Sequence, residues 1–142
     1  MKRAALVLLV LGVAAAAPSP APTPASWCRA YSCAPAARET AREGAQVYQG
    51  RAWVLNALPG AHVVTYAPLG TRPPVNAELY LGALNERTLR AASTWAAAFG
   101  RPQLGTVTAV RRCFQDARAT GRTERGRAAC AYLDGAPVVL AW

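Results

Sequence analysis

Four cysteines, Cys28, Cys33, Cys113 and Cys130, constrain the folding of this 142-residue chain more than any other feature. In an exported chain, an even number of cysteines predicts a framework of disulfide bonds, here two. Zinc is the alternative. However, neither pair has the tight spacing of a zinc knuckle, and the single histidine, His62, is far from both pairs in the sequence. We therefore expect two disulfides, no metal site and no cofactor.

The first 25 residues have the three-part pattern of a secretory signal peptide. A basic start at Lys2 and Arg3 precedes an apolar stretch over residues 4–17, and a Pro/Ala-rich region ends in small residues at Ala25. The apolar stretch is shorter than the roughly 20 residues of a membrane-spanning helix. We expect cleavage after Ala25, which predicts a secreted or periplasmic protein. The mature chain would be a single domain over residues 26–142 with no integral membrane span. An uncleaved anchor or a buried N-terminal helix is the alternative.

The spacing of the last two cysteines favours one of the three possible pairings. If Gly121-Arg122 forms a two-residue hairpin turn, Cys113 and Cys130 oppose each other in a non-hydrogen-bonded pair, with Cα atoms about 4.5 Å apart. A disulfide accepts that separation. Cys28–Cys33 is then the second bridge, closing a small loop at the start of the domain. A longer loop over residues 116–126 would change this register.

The pattern of apolar residues and turn signals predicts an α+β fold, with a mostly antiparallel sheet of about five strands. Pro35 in a first turn predicts a shorter helix over residues 35–49. An apolar stripe that stops at Gly100 predicts a long helix over residues 86–99. The predicted strands are residues 51–57, 62–67, 104–114, 127–133 and 136–142. Residues 68–74 are predicted to form a loop because they combine glycine with several prolines.

Short signals predict individual turns and helix ends. Pro59-Gly60 occupies type II turn positions, and Asp134-Gly135 is the strongest hairpin signal in the chain. The segment 76–84 has two interpretations. Asn76 caps a helix that begins at Ala77, or residues 78–83 form a strand and Asn85 caps the helix that follows.

The chain is strongly basic, with 16 Lys and Arg against 7 Asp and Glu. Loss of residues 1–25 would remove two basic residues and no acid, leaving a net charge of +7. Six arginines fall within residues 111–127, and four of them are our candidate anion-binding residues: Arg118, Arg122, Arg125 and Arg127. In the hairpin described above, Arg118 faces Arg125, a repulsion that an anion or an acidic partner would offset. A solvated, exposed tip is the alternative interpretation.

Residue types suited to catalysis are scarce. His62 would need a carboxylate such as Glu78 or Asp134 brought close by the fold before it could act as a general base. Glu39 and Glu43 would share one face of the predicted helix, but arginines lie between them, which favours a salt-bridged surface.

Three functions follow from these observations. We expect a small exported, disulfide-stabilised protein that binds or supports other molecules without catalysis. The first alternative is a basic binder of an anionic polymer, such as DNA, envelope phosphate or acidic polysaccharide, acting through the arginine-rich hairpin. The second alternative is an envelope hydrolase that uses His62. The expected partner is therefore an anionic polymer or another envelope protein.

Overall fold

The computed structural model describes residues 25–68 and 76–142, which form one seven-stranded antiparallel sheet and three α-helices. The strands are β1 Cys33–Glu43, β2 Gln46–Leu55, β3 His62–Pro68, β4 Asn76–Tyr80, β5 Arg122–Arg125, β6 Ala128–Leu133 and β7 Ala136–Ala141. The helices are α1 Ala25–Tyr31, α2 Glu86–Ala98 and α3 Val107–Thr120, with a 3₁₀ turn at Pro102–Leu104 between α2 and α3. Across the sheet the strand order is β1-β2-β3-β4-β7-β6-β5. The predicted α+β class with a mostly antiparallel sheet is confirmed.

The predicted helix over residues 35–49 is wrong, because this segment forms the β1–β2 hairpin. Gly44 lies at the turn with a φ of +58°. The pairing is irregular between Pro35 and Ala37, and β1 is an edge strand, where a proline without an N–H is tolerated. Helix propensity is a weak preference that strand pairing overrides. Glu39 and Glu43 therefore lie on a strand rather than on one face of a helix.

The predicted strand over residues 104–114 is also wrong, because most of it belongs to α3. Thr106 caps this helix by accepting a hydrogen bond from the Ala109 N–H at 3.1 Å. The buried residues of α3 recur at helical spacing: Val110, Cys113, Phe114 and Ala117. Gly121 ends the helix with a φ of +81°, so it is not part of a hairpin turn.

Several local predictions are confirmed. The Ala61 N–H donates to the Leu58 carbonyl at 3.0 Å, which closes the turn at Pro59-Gly60. β6 and β7 form a hairpin around Asp134 and Gly135, whose φ angles are +50° and +79°. Residues 76–84 follow the second interpretation: β4 is a strand, and the Asn85 side chain accepts hydrogen bonds from two N–H groups of α2.

The two faces of the sheet have different surroundings. The helix-facing side builds the main core with α1, α2 and α3, and its largest fully buried side chain is Trp95. The opposite side, here called the outer face, carries a second buried cluster that contains strand residues alone: Ala129, Ala131, Val138 and Leu140. Tyr80 and Trp142 are half-buried against that cluster.

The structure contains both predicted disulfides, but the hairpin register from which Cys113–Cys130 was predicted is wrong, because Cys113 lies in α3 and not on a strand. Cys113–Cys130 joins α3 to β6 with Cα atoms 5.8 Å apart, and both residues are fully buried. The strand partner of Cys130 in the β5–β6 hairpin is Thr123. Cys28–Cys33 joins α1 to β1, with Cα atoms 5.0 Å apart.

Two predictions concern segments that the structure does not describe. The signal peptide and cleavage region lie outside the described residues, except for Ala25 at the start of α1. The loop over residues 68–74 also lies outside them, except for Pro68 at the end of β3. Within residues 25–68 and 76–142, no helix combines the length and apolar character needed to cross a membrane.

Candidate functional site

The four arginines predicted to bind anions do not form one hairpin tip. Arg118 lies in the last turn of α3, Arg122 and Arg125 begin and end β5, and Arg127 lies between β5 and β6. Positions three apart on a strand project to opposite faces, so Arg122 and Arg125 point to different sides of the sheet. The partner of Arg125 in the β5–β6 register is Ala128, and the predicted pairing of Arg118 with Arg125 is wrong.

Two of these four arginines are neutralised locally. Arg125 forms an ion pair with Asp116 of α3. Arg122 contacts Glu124 at 3.2 Å, and its guanidinium lies 5.4 Å from the ring centroid of Trp142. These surface pairs stabilise the fold little, but they reduce the charge that an external anion would meet.

Arg118 has a different environment. Its side chain is exposed and makes no hydrogen bond or ion pair with the described part of the chain. It separates two cavities, of about 410 Å³ and about 240 Å³, which share Arg118 and Leu84 in their walls. We call the larger cavity the Arg118 cleft. Its lining residues are Ala83, Leu84, Ala117, Arg118, Gly121, Tyr132 and Pro137.

Backbone hydrogen bonds hold the walls of the Arg118 cleft. The Tyr132 N–H donates to the Gly121 carbonyl at 3.0 Å, which ties the end of β6 to the end of α3. The Leu81 N–H donates to the Pro137 carbonyl at 3.0 Å, which ties the segment after β4 to β7. The cleft is therefore built by non-local contacts among three parts of the chain.

A buried polar atom behind the wall of the cleft, the Tyr132 hydroxyl, lacks a hydrogen-bond partner in the described part of the chain. The Tyr132 ring meets the edge of the Phe114 ring with centroids 5.8 Å apart, so packing fixes its position. Buried polar groups in native proteins nearly always have a partner, which makes this hydroxyl an exception that needs an explanation.

His62 lies on the outer face, away from the Arg118 cleft. Its ring stacks on Tyr80 at a centroid distance of 4.4 Å, and the Tyr80 hydroxyl donates to Glu78 Oε2 at 2.8 Å. Tyr80 therefore contacts both His62 and Glu78, one of the two predicted carboxylates, whereas Asp134 lies in the β6–β7 turn. A groove of about 600 Å³ beside His62 also includes the exposed Val54. The hydrolase alternative stays a prediction.

Sequence reasoning missed the role of Arg101. Its guanidinium donates to the main-chain oxygens of Phe99 at 2.8 Å, Arg127 at 3.1 Å and Trp142. Burial, and then the neighbouring charge of Arg127, lower the pKa of the Arg101 guanidinium below its usual value. Arg101 therefore links the end of α2 to the end of β7. Its guanidinium is occupied by hydrogen bonds to main-chain oxygens of the protein itself. No local motif marks such a role, because two of the three acceptors, Arg127 and Trp142, come from distant parts of the chain.

Within the described ranges, no three His, Cys, Asp or Glu residues come close enough together to hold a metal ion. The sequence matches no protein-family model, no curated protein and no solved structure.

Proposed function

We propose that this is a small exported protein, held together by two disulfides, that acts by binding rather than by catalysis. The observation that carries the proposal is the unpaired Arg118 side chain between two cavities. A charged side chain beside a concave, largely apolar wall is the usual composition of a binding site. The buried Cys113–Cys130 bridge and the N-terminal signal pattern support export, since disulfides persist in oxidising compartments.

Export makes a direct prediction about the mature protein. When the full gene is expressed in a host with a secretory pathway, we expect the exported fraction to begin at Ser26. Intact-mass measurement should show the loss of residues 1–25 and of four hydrogens, because all four cysteines are paired. The cytoplasmic fraction of the same culture is the control. A full-length, fully reduced protein confined to the cytoplasm would contradict the proposal.

A second candidate function is binding of an anionic polymer, and unpaired arginines favour it. In and around α3, three arginines make no side-chain ion pair with the described residues: Arg112, Arg118 and Arg127. Arginine suits phosphate, sulfate and carboxylate groups because its planar guanidinium can donate two hydrogen bonds at once.

The salt dependence of heparin and DNA binding tests this second candidate. Three phosphate contacts predict a loss of about 40-fold in affinity between about 50 and 200 mM salt. Replacing Arg112, Arg118 and Arg127 with glutamine should abolish most of the binding.

A matched control removes the same charge from three ion-paired arginines: Arg111, Arg122 and Arg125. These side chains are already engaged, so glutamine at all three positions should cost much less affinity. Equal losses in the two triple variants would show that net charge alone attracts the polymer. Absence of binding at low salt would overturn the polymer proposal.

A further inference from the structure

We propose that the Arg118 cleft binds a small molecule with an apolar body and a single anionic head group. The inference rests on the proposed binding function and specifies the class of ligand for the same region. It depends on the size of the cleft, the chemistry of its wall and the Arg118 guanidinium, which has no partner among the described residues.

The size and lining of the cleft suit the apolar body. Its volume of about 410 Å³ falls within the range of small-molecule pockets. Most of the wall is apolar, formed by Ala83, Leu84, Ala117 and Pro137, with the Tyr132 ring beside them. The cleft is open to solvent, so an apolar group placed there loses contact with water on the side that faces the wall, which stabilises binding in proportion to the area buried.

The charge of the cleft suits an anionic head. Arg118 can donate two hydrogen bonds to a carboxylate or sulfonate, an interaction stronger than one between neutral groups. Nearby acidic residues are already engaged: Glu86 with Arg111 and Asp116 with Arg125. The Gly121 N–H donates to the Ala117 carbonyl at 2.7 Å, which satisfies one of the exposed oxygens at the negative end of α3.

The ring of Tyr132 contributes to the apolar part of the wall. Its hydroxyl is buried beneath that wall, so we assign it no contact with the ligand. The polar contacts of the head group are with Arg118.

Decanoate is the probe, because it combines an apolar body with one carboxylate. Binding to the full exported protein is measured by isothermal titration calorimetry, with decyltrimethylammonium as the ligand of opposite charge. We expect decanoate to bind with a stoichiometry of one and decyltrimethylammonium not to bind. Arg118→Gln should weaken decanoate binding by about 10-fold or more.

Two further variants make the test specific. Arg90→Gln removes the same charge from an exposed position on α2 that is absent from the cleft wall, and it should leave the affinity unchanged. Ala83→Trp adds bulk at an exposed position in the wall without changing the charge, and it should abolish binding. Circular dichroism and thermal unfolding confirm that each variant is folded.

The outcomes that overturn the proposal are specific. They are an equal loss in Arg90→Gln and Arg118→Gln, equal binding of both probes, or unchanged binding in Ala83→Trp. Heparin binding measured on the same samples distinguishes failure of the cleft proposal from failure of the polymer proposal. If decanoate does not bind while salt-dependent heparin binding persists, the cleft proposal fails and the polymer proposal stands. Failure of both overturns both.

Discussion

Replacing Cys113 and Cys130 with alanine is expected to lower the free energy of unfolding by about 3 kcal/mol. The bridge closes a loop with a sequence separation of 17, and opening that loop gives the unfolded chain more conformations. Both residues are fully buried between α3 and β6, so the disulfide also holds α3, the helix that carries Arg118, against β6. Urea unfolding followed by tryptophan fluorescence measures the loss. The melting temperature should fall by about 10 °C.

The other bridge supplies the matched control. Cys28–Cys33 has a sequence separation of 5, so its removal should cost only about 2 kcal/mol. Its cysteines are half-buried, whereas Cys113 and Cys130 are fully buried, so a reductant should open the Cys28–Cys33 bridge first in the native protein. A larger loss on removing Cys28–Cys33 would contradict this account.

Gly82→Ala is expected to lower the free energy of unfolding by about 2 to 3 kcal/mol, because two costs coincide at this position. Gly82 has a φ of +73°, a conformation that alanine adopts poorly. A Cβ atom there would lie 2.8 Å from the Gly60 carbonyl oxygen, so the backbone must shift. The segment that shifts is the one whose Ala83 and Leu84 line the Arg118 cleft. Chemical denaturation measures the loss, and decanoate affinity should fall with it.

Gly100→Ala separates the two costs at Gly82. Gly100 has nearly the same φ, +71°, but among the described residues no atom beyond its chain neighbours lies within 4 Å of the position its Cβ would occupy. Alanine there should cost only about 1 kcal/mol. If Gly82→Ala and Gly100→Ala destabilise the protein equally, the approach to Gly60 has no energetic importance.

Part of the candidate site was predictable from the sequence, and part was not. The surplus of arginine around α3 identified Arg118 as a candidate. The sequence did not show that Arg125 would meet Asp116, nor that Arg118 would stay unpaired. Helical spacing of Val110, Cys113 and Phe114 could have revealed α3, but the more visible alternation of the segment favoured a strand.

By itself, the sequence determined the fold class, the presence of two disulfides and the turns at Pro59-Gly60 and Asp134-Gly135. Each turn depends on the backbone preferences of adjacent residues, which act within a few bonds and are readable locally. Only the tertiary structure decided that residues 35–49 pair as strands, that α3 is a helix, and that the arginines separate into paired and unpaired side chains. Those outcomes depend on contacts between residues distant in the chain, where packing and pairing energies exceed local propensity.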